Sequence, residues 1–237
     1  MIFTQDIHID SERCDQHENL RADALFLLMQ NAAGRHAERL GSGRAQLIKN
    51  RTAWVLTRVS VRMTRWPKWN STLTLTTAPG AGRAGLYRRY FTFADELGSC
   101  GHATSLWTVI DLDKRTIVSA DKAPAVPAAT DFAPQLPAPV KVRRIEGEST
   151  VIPYHCLYTD ADLNRHINNA AYIRFLENAL PPEKFADATL CELDVCYHRE
   201  IKPAADVSLL LTQNSDRFYF AVQDGETTAF EAGGRWE

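Results

Sequence analysis

The sequence has no run approaching the ~20 consecutive apolar residues that a membrane-spanning helix requires, so no such span is expected. It also has no C-x-x-C pair and no cysteine spacing suited to a metal. Its five cysteines (Cys14, Cys100, Cys156, Cys191 and Cys196) are scattered and odd in number. That fits reduced thiols in a cytoplasmic protein better than a disulfide framework. Positive charge is not in excess: with Lys+Arg 27 against Asp+Glu 29 the net charge is -2, and no general nucleic-acid-binding surface is expected. The first residues, MIFTQDIHID, alternate like a strand and lack a basic segment followed by an apolar stretch, so no signal peptide is expected. What is present is ordinary for a globular protein: 237 residues, 45% hydrophobic and 24% charged. That length accommodates one large domain or two small ones.

Hydrophobic periodicity divides the chain into two similar halves. Residues 2–9 read as a strand and 20–40 as a helix, with Leu25, Leu28, Met29, Ala32, His36 and Leu40 along one stripe and Gly41 as a C-terminal cap. Strands are expected at 53–63, 71–77, 85–94 and 102–112, with turn signals at Pro79-Gly80 and around Gly98. From about 121 to 149 the character changes. Pro124, Pro127, Pro134, Pro137 and Pro139 stand among alanines and small polar residues, a composition that resists helix and interior strand alike. A strand at 151–159, a helix at 168–180 and strands at 190–199, 207–212, 218–222 and 228–236 then repeat the first order of elements. The pattern predicts an α+β duplicate: a first module over 1–125, a Pro-rich linker over 126–149 and a second module over 150–237. Each has a long helix wrapped by antiparallel strands.

The densest chemistry lies in 158–182, YTDADLNRHINNAAYIRFLENALPP. Asp160, Asp162, Asn164, His166, Asn168 and Asn169 crowd ten residues and run straight into the second helix. Asx residues cap helices and close turns, so Asn168 or Asn169 is expected as the N-cap. Ala171, Tyr172, Phe175, Leu176 and Ala179 form its apolar face, and Pro181-Pro182 ends it. A helix N-terminus offers free N–H groups and partial positive charge, which suits an oxygen that becomes negative during reaction. Asp162, Asn164 and His166 alternate at spacing two; if extended, all three point to one side. Capping explains the Asx residues but not His166. The corresponding place before the first helix, residues 14–19 (CDQHEN), is polar but lacks the D-x-N-x-H order, so a single reactive centre is expected, in the second module.

The stretch Asp162-Leu163-Asn164-Arg165-His166-Ile167-Asn168-Asn169 with Tyr172 resembles the acyl-ACP thioesterase family. So do the stretches LDVCYHRE (193–200), WVLTR (54–58) with RWPKW (65–69), and WTVIDLDKR (107–115). The resemblance runs in order along nearly the whole chain. It implies a double hotdog fold, hydrolysis of the thioester between a fatty acyl group and acyl carrier protein, and a catalytic set at Asp162, Asn164, His166 and Glu200, without cofactor or metal. Glu200 is the candidate general base for water; Asp162 is left either as nucleophile or as the group that fixes the His166 tautomer. Members of the plant branch carry a cysteine directly after this glutamate. Ile201 stands there in this chain, which excludes a cysteine nucleophile at that position. Cys196 would share a face with Glu200 on an extended strand.

By the same resemblance the first module supplies the acyl pocket, through Leu25, Leu28, Met29 and Ala32. The acidic carrier protein is the expected partner. Arg143 and Arg144, in a local basic cluster, are candidates to dock it. A homodimer is a family-level expectation. His155 and His198 have no ligand spacing with His166. An acyl-CoA hydrolase, a hotdog dehydratase and a non-catalytic acyl-thioester binding module are the alternative functions.

Overall fold

A computed structural model describes residues 1–83, 85–119, 123–129, 132 and 137–237. The first half holds β1 (Phe3–His8), α1 (Ala22–Arg39), α2 (Arg44–Lys49), β2 (Thr52–Met63), β3 (Thr72–Arg83), β4 (Leu86–Asp95) and β5 (Gly98–Asp111). The second holds β6 (Ser149–His155), α3 (Asn169–Ala179), α4 (Pro182–Asp187), β7 (Leu190–Tyr197), β8 (Asp206–Gln213), β9 (Arg217–Asp224) and β10 (Thr227–Trp236). All ten strands join one sheet in the order β1-β3-β4-β5-β2-β7-β10-β9-β8-β6. From the centre outward, β2-β5-β4-β3-β1 on one side matches β7-β10-β9-β8-β6 on the other. Each half is therefore the same five-stranded unit around its own helix, the tandem hotdog arrangement of the α+β class.

The two units join edge to edge. β2 pairs antiparallel with β7, Val59 opposite Val195 and Val61 opposite Leu193. The seam is pinned by Arg62, which donates two hydrogen bonds to the Asp194 carboxylate (3.0 and 2.9 Å). This leaves β1 and β6 as the edges of the sheet, and β6 carries Pro153, which has no N–H to offer.

The helices bury the apolar stripes that their sequences predict. Leu25, Met29 and Ala32 of α1 are buried, as are Tyr172, Phe175 and Leu176 of α3. Tyr172 stacks on Phe230, with ring centroids 5.1 Å apart, and Phe175 lies 4.4 Å from Tyr154. α1 packs on α3, and here Glu177 of α3 reaches the start of α1: its carboxyl oxygens accept from the N–H groups of Ala22 (2.6 Å) and Asp23 (3.1 Å). Burial, with Asp23 beside it, pushes Glu177 up to about 8, against the pull of those two N–H groups.

Some sequence expectations need correction. Pro79-Gly80 is not a turn; β3 continues to Arg83 with a register irregularity after Pro79. The glycines serve close approach instead, since a Cβ at Gly80 would lie 2.7 Å from the Tyr90 ring and one at Gly82 2.9 Å from the Tyr87 ring. The true turn uses Gly85, at φ +77°. Pro181-Pro182 ends α3 and also starts α4, with Pro182 in the first helical position, where proline is tolerated. The last expected strand residues before Glu200 are not strand, because β7 stops at Tyr197. Among the described residues no helix or strand lies between β5 and β6. Pro134, part of the expected linker, lies outside the described residues.

His36 of α1 is buried (3% exposed), stacks on Phe3 and accepts from Arg89 at 3.1 Å. Burial, helped by the Arg89 charge, lowers its pKa to about 4. Its unfolded value is near 6.5, so the native state is favoured fully above pH 6.5 and progressively less as pH falls from 6.5 towards 4. Thermal unfolding of the wild type should show a loss of stability across that window. His36→Gln, which keeps an acceptor for Arg89 without a titrating ring, should show a smaller one.

Candidate active site

The segment before α3 is a tight turn, not the extended run that the alternation of Asp162, Asn164 and His166 suggested. Asp162 N–H donates to the His166 carbonyl (2.9 Å) and Arg165 N–H to the Asp162 carbonyl (3.0 Å). Arg165 sits at φ +63°, a conformation unfavourable for a non-glycine residue. The Asp162 carboxylate closes the turn: Oδ1 accepts from the Asn164 backbone N–H (2.7 Å) and Oδ2 from the Asn164 side-chain amide (3.1 Å). Asn164 Oδ1 in turn accepts from Arg44 at the start of α2 (2.9 Å). Arginine only donates and carboxylate only accepts, so these two partners fix which end of the Asn164 amide is oxygen. One Asn164 N–H remains for a ligand. Asn168 is the N-cap, its Oδ1 accepting from Ala170 N–H (2.9 Å).

Glu200 arrives from beyond β7. The Ile167 N–H donates to the Ile201 carbonyl (3.0 Å), and the Tyr197 hydroxyl to the Asn169 carbonyl (3.0 Å). These bonds tie the loop after β7 to the turn before α3. Glu200 Oε2 consequently lies 3.4 Å from His166 Nε2 and 3.6 Å from an Arg115 guanidinium nitrogen. The His166 and Glu200 side chains are 32% and 43% exposed, within reach of water. The four sequence candidates thus fall into two contacting pairs, Asp162 with Asn164 and His166 with Glu200. Asp162 spends both oxygens on Asn164, so it is placed to orient that amide. Ile201 is fully buried. Cys196 is buried too, with Sγ 3.8 Å from the Val140 carbonyl, and since the strand ends before Glu200 the expected shared face does not exist.

Asn169, the first residue of α3, lines a small cavity with Phe26, Met29, Gln30, Phe91 and Trp107 of the first half. Of the four acyl-pocket candidates, Met29 is in this lining; Leu25, Leu28 and Ala32 belong to the packed core. The cavity measures about 20 Å³, room for roughly one water. A longer apolar chain enters only if side chains such as Met29, unbranched and adaptable, swing aside.

The first half carries the same turn without a counterpart of the His166–Glu200 contact among the described residues. Asp15 N–H donates to the Asn19 carbonyl (2.8 Å), His17 N–H to Asp15 Oδ1 (2.8 Å), and Glu18 sits at φ +64°. Asn19 therefore stands where the second half has His166. At the helix start that follows, the Glu177 carboxyl already occupies the N–H groups. A cavity of about 330 Å³ adjoins this end, lined among others by Asp15, Asn19, Trp66 and Glu177.

The remaining candidates lie elsewhere. Arg144 packs over the Tyr219 ring and lies 3.9 Å from Glu231, which also accepts from Tyr219 and His198; Arg143 adjoins Gly233. Both border β10. His155 is paired with Asp206 (2.7 Å). Among the described residues no cluster of His, Cys, Asp or Glu is arranged to hold a metal. Sequence reasoning missed Arg44 and Arg115, which the structure brings against Asn164 and Glu200. Arg115 closes the stretch 107–115 already quoted, whereas nothing in the sequence around Arg44 signals a role.

Comparison with known proteins covers both halves. Residues 1–123 match the acyl-ACP thioesterase N-terminal domain and residues 144–231 the acyl-ACP thioesterase C-terminal domain. A chloroplastic acyl-[acyl-carrier-protein] hydrolase of Cuphea viscosissima is 26% identical over 214 residues, 84% of this chain and 52% of the relative. A chloroplastic palmitoyl-acyl carrier protein thioesterase of Gossypium hirsutum is 24% identical, over 95% of this chain and 58% of the relative. The chain thus spans about half the length of the curated relatives it matches. Among solved structures, an acyl-ACP thioesterase from Bacteroides thetaiotaomicron aligns over 100% of this chain and 98% of its own, with TM-score 0.92 and 22% identity. A 12:0-ACP thioesterase from Umbellularia californica aligns over 100% and 97%, with TM-score 0.80 and 21% identity, and these likenesses carry the fold. With family matches over both modules, in order, this chain belongs to the acyl-ACP thioesterase family.

Proposed function

We propose that the protein is a thioester hydrolase that cleaves fatty acyl-acyl carrier protein to free fatty acid and the thiol form of the carrier. The observation that carries this reading is the approach of Glu200 Oε2 to His166 Nε2 (3.4 Å) at the turn that Asp162 and Asn164 close just before α3. In this reading Asn164 and the Asn169 N–H polarise the thioester carbonyl. Glu200 takes a proton from water, and the water oxygen attacks the carbonyl carbon. The tetrahedral intermediate then collapses, the carbon–sulfur bond breaks, and the proton passes through His166 to the departing thiolate. Asp162 orients Asn164 throughout, through the bonds that its two oxygens accept from that residue.

The modules divide the work: 1–125 supplies the acyl pocket, 126–149 links, and 150–237 carries the chemistry. Leu25, Leu28, Met29 and Ala32 of α1 shape the acyl pocket, and Arg143 and Arg144 dock the acidic carrier. A cytoplasmic setting accords with five free cysteines, four of them buried. No helix is long and apolar enough to cross a membrane, among the described residues. A homodimer is the assembly we expect.

A panel of acyl-ACPs and acyl-CoAs, with fatty acid products quantified, tests the reading. Acyl-ACP should be turned over faster than the matching acyl-CoA, and a reversed preference would reassign the carrier. Loss of a group that stabilises or moves charge in the transition state costs about 100-fold or more, so kcat should fall by that factor in His166→Ala and in Glu200→Gln. Equal turnover by wild type and His166→Ala would remove His166 from the mechanism. Separately, reversing charge in an Arg143→Glu, Arg144→Glu double variant should raise KM for acyl-ACP several-fold at low salt and leave KM for acyl-CoA nearly unchanged. An unchanged KM for acyl-ACP would clear this cluster of a docking role.

A further inference from the structure

We infer that Arg44 and Arg115, both supplied by the first module, are positioning residues that hold Asn164 and Glu200 of the second module in working geometry. The inference rests on the hydrolase reading for its catalytic meaning. It rests on two observed cross-module contacts for its substance: Arg44 to Asn164 Oδ1 at 2.9 Å and Arg115 to Glu200 Oε2 at 3.6 Å.

The Arg115 contact stands on a built turn. Asp111 Oδ1 accepts from the N–H groups of Asp113 and Lys114 (2.9 Å each), and the Asp111 carbonyl accepts from Arg115 N–H (2.9 Å). Asp111 N–H closes the loop on the Thr116 carbonyl (2.9 Å). A second positive-φ residue, Arg51, braces the turn from outside by pairing with Asp113 and accepting Leu112 N–H at its carbonyl (2.9 Å). Arg115 itself is held at φ +55°. A non-glycine residue in the left-handed region is retained where the surroundings over-determine it. This turn is exposed and contributes little core, yet it delivers one guanidinium to the Glu200 carboxylate of the other module. Both the guanidinium and the imidazole contacts fall on Oε2.

Arg44 acts on direction. Without it, the Asn164 amide keeps only its bond to Asp162, which still marks the nitrogen end but leaves Oδ1 unheld, so the remaining N–H is less firmly aimed at a substrate carbonyl. Arg44 is placed by its own backbone: its N–H donates to Glu38 Oε1 (2.7 Å), which fixes the start of α2 against the end of α1. Neither an exposed hydrogen bond to an amide, as at Arg44, nor an exposed ion pair, as at Arg115, adds much to stability. A large kinetic effect from either arginine would therefore mark positioning and not folding.

The test uses the full chain, with Arg44→Met and Arg115→Met removing the donors while keeping the stems, and Arg44→Lys and Arg115→Lys restoring a cation. Each Met variant should lower kcat about tenfold, with KM within about twofold and an unchanged thermal midpoint, and the Lys variants should recover most of the loss. Adding Arg44→Met to Asn164→Ala, or Arg115→Met to Glu200→Gln, should cost nothing further, since the group being positioned is already gone. Unchanged kcat in the Met variants overturns the inference. So does a full tenfold loss that persists in the Asn164→Ala and Glu200→Gln backgrounds. A readout independent of turnover separates this result from the function itself. In isotope-labelled protein the Asn164 side-chain amide signals should move in Arg44→Met, and the His166 ring signals in Arg115→Met. If wild type hydrolyses neither acyl-ACP nor acyl-CoA, the functional proposal falls while these signals still decide the positioning; unmoved signals refute it.

Discussion

The N–H groups at the start of a buried helix must be answered by something, and the two halves of this chain answer them differently. At α1 the response is internal: Glu177 crosses from α3 and takes the Ala22 and Asp23 N–H groups. At α3 it comes from Asn168, which binds Ala170 N–H, while Asn169 lies at the wall of a cavity. The same turn precedes both helices, down to a left-handed residue at Glu18 and Arg165. One duplicated scaffold has thus been closed by an acid at one end and by an amide cap beside a small cavity at the other. Gln30, which stands in α1 where Glu177 stands in α3, lines the open cavity. A neutral amide there leaves the second helix end unclaimed by charge.

Fusion of the two sheets makes this asymmetry usable. The β2–β7 seam holds the modules in fixed register, and α1 and α3 pack against each other across it. The cavity at the start of α3 is consequently built of Phe26, Met29 and Trp107 from the other module. Under the proposed function the reacting groups belong to one module and the apolar wall to its neighbour, and neither half would hold the complete site.

Much of this was legible in the sequence because it rests on local rules. The apolar stripes of both helices, the duplicated order of elements and the polar run into α3 follow from periodicity and Asx chemistry. The pairing of His166 with Glu200 was expected only through resemblance, because 34 residues of chain separate positions whose contact depends on the Ile167–Ile201 backbone bond. Where local rules misled, a non-local contact decided. Pro79-Gly80 reads as a turn but accommodates the Tyr90 ring inside a strand. The alternation at 162–166 reads as extended, but Arg165 reverses the chain. Arg44 carried no signal at all, since its partner is defined only when α2 has docked.

A sheet of ten strands has just two borders, and here both are blunt. β1 runs for 6 residues and β6 for 7, with Pro153 interrupting the donors of the latter. An edge that cannot extend its ladder is a poor template for recruiting a foreign strand. Fusing two modules through β2 and β7 thus also hides the two longest potential borders inside the molecule, which disfavours cross-β growth between copies.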